Sequence, residues 1–201
     1  GVILFARNLK KFEQIKNLTN DVRNIFRDKN YPILIDQEGG KVNRLNKLIE
    51  TSTLSAEFFG NLYKSNKKKF YNYYTVYIAQ ISYLLNEIGI NINTVPVLDV
   101  RRPKSNSIIG NRSFSLVPKN VSNIGDFCIK KFNKEKIGTV IKHIPGHGLA
   151  KVDSHKKTPI VKKKTKYLYK NDFITFKNKQ TFFAMTAHVI YNDIDPINTA
   201  T

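Results

Sequence analysis

Short apolar runs alternate with longer amphipathic stretches from one end of the chain to the other. Val2 to Phe5 is a continuous apolar run and reads as a strand. Phe12, Ile15, Leu18, Val22, Ile25 and Phe26 then recur at helical spacing, and Pro32-Ile33-Leu34-Ile35 reads as the next strand. A long helical region follows, with Phe70, Tyr73, Tyr74, Tyr77, Ile81, Leu84, Leu85 and Ile88 on one broad face and Gly89 placed to end it as a left-handed cap. Ile92 to Val100 reads as a third strand and its exit, and a helix around Val121 to Phe132 leads to the β-branched run Ile137-Gly138-Thr139-Val140-Ile141. The polar segment Lys151 to Lys166 predicts a mobile loop. A weaker helix near Tyr167 to Phe176 precedes a last strand, Phe182 to His188.

About five βα units in one register imply an α/β fold with a parallel sheet. Each later strand exit carries polar groups: Asp36, Asp99, Lys142-His143 and His188. Convergence from several strands fits a TIM (β/α)8 barrel better than an open sheet, in which ligands bind at one switch point. A complete barrel runs to roughly 250 residues. The expectation is therefore one partial barrel domain over residues 1–201, short of strands at both ends. The opening inside a strand without Met and the loop-like close at Asp195 to Thr201 point the same way.

Composition alters this picture only slightly. Apolar residues make up 41% of the chain, which argues against disorder. The single cysteine, Cys128, excludes an internal disulfide and suits a reducing, cytoplasmic setting. No apolar run reaches bilayer length, so no membrane partner is expected. The formal net charge of +19 raises nucleic acid as a partner. Part of it lies in short runs such as Lys67-Lys68-Lys69 and Lys162-Lys163-Lys164, in a chain rich in Asn and Ile, which favours a solvated basic surface over a dedicated groove.

Three of the four histidines fall between Lys142-His143-Ile144-Pro145-Gly146-His147-Gly148 and Asp153-Ser154-His155, at a strand end and in the loop after it. A carboxylate near an imidazole can set its tautomer and stabilise its charged form, making it a general acid and base. The same histidines, with Asp153 and His188, could instead ligate zinc, although Pro145-Gly146 keeps His143 and His147 off one helical face. Asp36-Gln37-Glu38-Gly39-Gly40, with Arg44 beyond it, offers acceptors for hydroxyl groups and close backbone approach; its bland alternative is a tight turn. Arg112 supplies a fork of donors or an ordinary surface ion pair.

In order along the chain, Gly1-Val2-Ile3-Leu4-Phe5-Ala6-Arg7-Asn8, Ile35 to Gly40, Pro96-Val97-Leu98-Asp99-Val100, Ile109 to Phe114, Lys142 to Gly148, Asp153-Ser154-His155 and Met185-Thr186-Ala187-His188-Val189 resemble the family 3 glycoside hydrolases. The likeness is to the bacterial β-N-acetylglucosaminidases (β-N-acetylhexosaminidases) that recycle peptidoglycan. The resemblance implies a TIM barrel, no metal or other cofactor, and retaining exo-hydrolysis of terminal β-linked N-acetylglucosamine from muropeptides. It implies His155 as acid/base with Asp153 as its partner. Asp36, Arg44, Arg112, Lys142 and His143 would hold the sugar. It further implies a cytoplasmic monomer and a nucleophilic Asp beyond Thr201.

The chain departs from the family pattern at Lys41, where Arg is usual, and in a lysine-flanked loop. Two other readings stand beside this one. A zinc-dependent barrel hydrolase predicts stoichiometric metal. A non-catalytic protein binding nucleic acid or other polyanions predicts affinity that falls steeply with salt.

Overall fold

The structure, a computed structural model, describes residues 1–102, 108–150 and 158–201. The first strand, β1 (Val2–Leu4), passes through a 3₁₀ turn into α1 (Phe12–Phe26). Next come β2 (Ile33–Ile35) and a small antiparallel hairpin, β3 (Gln37–Gly39) with β4 (Val42–Asn43). Gly39 and Gly40, with φ of 82° and 60°, turn that hairpin in a region where a Cβ is strained. Two helices follow, α2 (Ala56–Ser65) and α3 (Lys67–Glu87), where the pattern suggested one long helical region. They separate at Asn66, whose side chain accepts from the Lys69 amide and so caps α3; Ser55 caps α2 in the same way. Gly89 lies just past α3 at φ 75°, in the left-handed conformation expected of it.

The segment read as one strand from Ile92 to Val100 is only partly regular. β5 is confined to Ile92–Asn93. Pro96 lacks an amide proton, which interrupts an ordinary ladder. The chain nevertheless keeps alongside β6 (Gly138–Ile144), which follows α4 (Pro118–Lys134): Lys142 N–H donates to Pro96 O at 3.3 Å and Leu98 N–H to Lys142 O at 2.8 Å. β7 (Ile160–Val161) lies within the segment predicted as loop. The helix expected to reach Phe176 stops as α5 (Thr165–Asn171) and tightens into a 3₁₀ turn at Phe173–Phe176. The last main strand is β8 (Phe183–Thr186), and β9 (Ile190–Tyr191) pairs in parallel with β7.

The main sheet runs β1-β2-β5-β6-β8, and every pairing is parallel. Spatial order follows chain order with no reversal, so there is no switch point of the doubly wound kind. Parallel strands paired in chain order, with a helix in each crossover, form the wall of a (β/α) barrel, because crossovers of one usual hand running in one direction put their helices on one side. Ile15, Phe70, Ile78, Ile81, Leu85, Val121, Ile124 and Phe132 pack between the helices and the strand residues Ile33, Ile35 and Ile141. A second, smaller apolar cluster joins Ala150, Val161, Leu168, Ala187, Val189 and Tyr191. Among the described residues, no helix is long and apolar enough to cross a membrane.

Candidate active site

Polar side chains leave the carboxyl ends of β2, β6 and β8 and meet around a cavity of about 300 Å³. Asp36, Glu38, Arg44, Arg112, Lys142, His143, His147 and His188 contribute to its lining, with Phe5, Ile109 and Met185 among the apolar contributors. The period of two in extended chain puts Asp36 and Glu38 on one side. Gln37 points the other way, where its amide bonds Asn43, Thr51 and the Leu45 amide and braces the hairpin.

Lys142 is the hub, with a side chain 1% exposed. Its ammonium lies 2.6 Å from Glu38 Oε1, 2.9 Å from Asp36 Oδ1 and 2.9 Å from Thr94 Oγ1, so each of its three protons has an acceptor. Thr94 in turn donates to Asp36. Arg112 grips Glu38 with a two-pronged bond, Nε to Oε2 and Nη2 to Oε1, both 2.8 Å. Arg44, a third exposed, stands 3.7 Å from Asp36 Oδ2. Burial alone would raise the Asp36 carboxyl, but the Lys142 charge, hydrogen bonds from Thr94 and Lys142, and Arg44 outweigh it and hold the group at about 2. Glu38 is likewise lowered, burial being overcome by Lys142 and Arg112. Both are carboxylates at neutral pH, and Asp36 presents its second oxygen, Oδ2, to Arg44.

His143 is oriented by Asp99, which is fully buried. Its Nδ1 donates to Asp99 Oδ2 at 2.6 Å, leaving Nε2 to accept from Arg112 Nη2 at 3.4 Å. Asp99 Oδ1 also takes the His147 amide at 2.6 Å, tying the start of the following loop to the same carboxylate. Burial would raise Asp99; the His143 and His147 interactions lower it instead. Behind this loop Asp172, 1% exposed, meets Arg102 at 3.1 Å, and burial pushes its carboxyl up to about 6.

The structure thus brings together all five residues expected to hold the sugar: Asp36, Arg44, Arg112, Lys142 and His143. Asp153 and His155 lie outside the described residues. Arg112 is no surface ion pair, since it is clamped to a buried Glu38. The sequence places Glu38 and Asp99 at strand exits but gives neither a role of its own. The Asp-x-Glu alternation after β2 was the available signal for Glu38, whereas nothing local marks Asp99 as the partner of a histidine 44 positions away. Among the described residues, no group of three or more His, Cys, Asp or Glu is arranged to hold a metal ion. Two of the zinc reading's ligands, Asp153 and His155, are not among those residues.

A parallel α/β wall thus delivers carboxylates, cations and an oriented imidazole to one polar cavity, the arrangement of an α/β-barrel active site. The glycosyl hydrolase family 3 N-terminal domain matches residues 1–201, and the chain belongs to that family. β-Hexosaminidase A of Pseudoalteromonas piscicida is 34% identical over 97% of this chain and 33% of that protein. A β-hexosaminidase of Aromatoleum aromaticum is 30% identical over 98% of this chain and 55% of its own length. NagZ from Neisseria gonorrhoeae, solved in complex with N-trifluoroacetyl-D-glucosamine, superposes with a TM-score of 0.83 at 27% identity, over 97% of this chain and 58% of that one. The chain therefore spans between a third and somewhat over half the length of these relatives.

Proposed function

We propose that this chain is part of a retaining exo-β-N-acetylglucosaminidase that removes terminal β-linked N-acetylglucosamine from muropeptides during peptidoglycan recycling in the cytoplasm. The observation that carries the reading is the Lys142-centred network: Asp36, Arg44, His143 and Arg112 are held in fixed geometry around one cavity. Carboxylate acceptors and forked donors so arranged suit the hydroxyl groups of one sugar ring. Family membership, and a relative solved with an N-acylglucosamine, support the choice of sugar.

In this reading His155, partnered by Asp153, protonates the glycosidic oxygen as a carboxylate attacks the anomeric carbon and the C–O bond breaks. His155 then takes a proton from the water that displaces the carboxylate. Asp36 and Glu38 are committed to Lys142, Arg44 and Arg112. The attacking carboxylate is the Asp that the family resemblance implies beyond Thr201. The domain is read as part of one barrel acting as a monomer.

In the full-length protein, His155→Ala is expected to lower turnover of an aryl N-acetyl-β-glucosaminide by about 10²–10⁴-fold. Unchanged turnover would remove the basis of the assignment.

A further inference from the structure

A second hollow, of about 240 Å³, opens next to the cavity described above. Asn61, Lys64, Arg101 and Asn120 give it polar lining, and Leu116 and Val117, each about half exposed, give it an apolar flank. Spacings of four and three residues set Glu57, Asn61 and Lys64 along one face of α2. Asn120 lies in the first turn of α4, which runs back to the start of β6, so that turn stands at the end of the sheet where the strands exit. One strip of backbone serves both hollows: Ile109 and Arg112 line the first, and Ser113 to Val117 line the second.

Arg101 is paired with Glu57, which leaves Lys64 as the uncompensated charge of this lining. Among the described residues, the side chains of Asn61, Lys64 and Asn120 have no hydrogen-bond or ion-pair partner, so none of the three is tied to the groups assigned to hold the sugar. A cation offers itself to a carboxylate, two amides match the donors and acceptors of a peptide backbone, and the apolar flank suits small side chains. We propose that this hollow is a subsite for the carboxylate-bearing peptide of a muropeptide, with Lys64 taking a carboxylate and Asn61 and Asn120 the backbone. The inference rests on the muropeptide reading above and extends it to the part of the substrate beyond the scissile bond. Reach permits it: Arg112 and Phe114 are at most about 7 Å apart along the chain, and a peptide of three to five residues spans about 10–18 Å.

The test compares one disaccharide, N-acetylglucosaminyl-anhydro-N-acetylmuramic acid, with and without its peptide, in the full-length protein. Lys64 is exposed, so its replacement leaves the core intact. Lys64→Glu is expected to raise KM about fivefold for the peptide-bearing substrate, and to leave its kcat and both constants for the bare disaccharide within about twofold. Lys130→Glu, at an exposed position of α4, changes the net charge equally and is expected to alter neither substrate's KM. No change with Lys64→Glu, an equal change on both substrates, or the same selectivity from Lys130→Glu overturns the proposal. The last of these would assign the preference to net charge rather than to the hollow. Unaltered protein that turns over neither the bare disaccharide nor an aryl N-acetyl-β-glucosaminide defeats the function proposed above and this inference with it. If it turns over both while Lys64→Glu is unselective, the inference alone fails.

Discussion

Lys142 concentrates the energetics of the site in one side chain. Its ammonium is the common partner of Asp36, Glu38 and Thr94, and burial makes each of those contacts dependent on the others. A buried ion cluster contributes little relative to an apolar one, but removing one partner strands the remaining charges. Lys142→Met is therefore expected to cost about 3–5 kcal/mol of folding stability, measured by denaturant unfolding. Adding Glu38→Gln should recover part of that loss, whereas Glu38→Gln added to a harmless surface substitution should not stabilise. Lys142 and His143 were visible in the sequence because a β-branched run delivers them to a strand end. Their partners were not. Lys142 and Asp36 are 106 positions apart, and only the pairing of β2 with β5 and of β5 with β6 sets them 2.9 Å from each other.

At the scale of elements, helix spacing and caps follow from local chemistry, and α1, α3 and α4 form where apolar residues recur at 3.6-residue intervals. The hairpin after β2 and the separate α2 were harder to see, because Asp36 to Gly40 reads equally as a turn and the apolar residues Phe58, Phe59 and Leu62 merge with those of α3. Close approach also leaves a mark that no periodicity carries. A Cβ on Gly60 would lie 1.6 Å from the Phe114 carbonyl oxygen, so α2 seats against the segment that follows Arg112 only because this position lacks a side chain. Gly60→Ala is expected to destabilise by about 2–3 kcal/mol despite the better helix propensity of alanine, read as a lower melting temperature. An unchanged or higher melting temperature would show that α2 does not sit this close.

Across the whole molecule the open sheet is the controlling feature. β1 and β8 form its two edges, and β8 exposes Phe183 at 46% beside a fully exposed Phe182. Unpaired strand edges with apolar side chains template association. Residues 1–201 expressed alone are expected to be poorly soluble, and a monodisperse monomer by size exclusion with a sharp unfolding transition would contradict that. The amino-acid sequence by itself determined the βα alternation, the parallel sheet and the strand ends at which chemistry collects, because hydrophobic period and turn residues act over a few neighbouring positions. Tertiary structure alone decided that Glu38 clamps Arg112, that Asp99 orients His143 and that Tyr191 ties Gly146 to the neighbourhood of Val161. The side-chain bonds in those partnerships join residues 44 to 74 positions apart, and no local preference encodes a contact that exists only once the strands lie side by side.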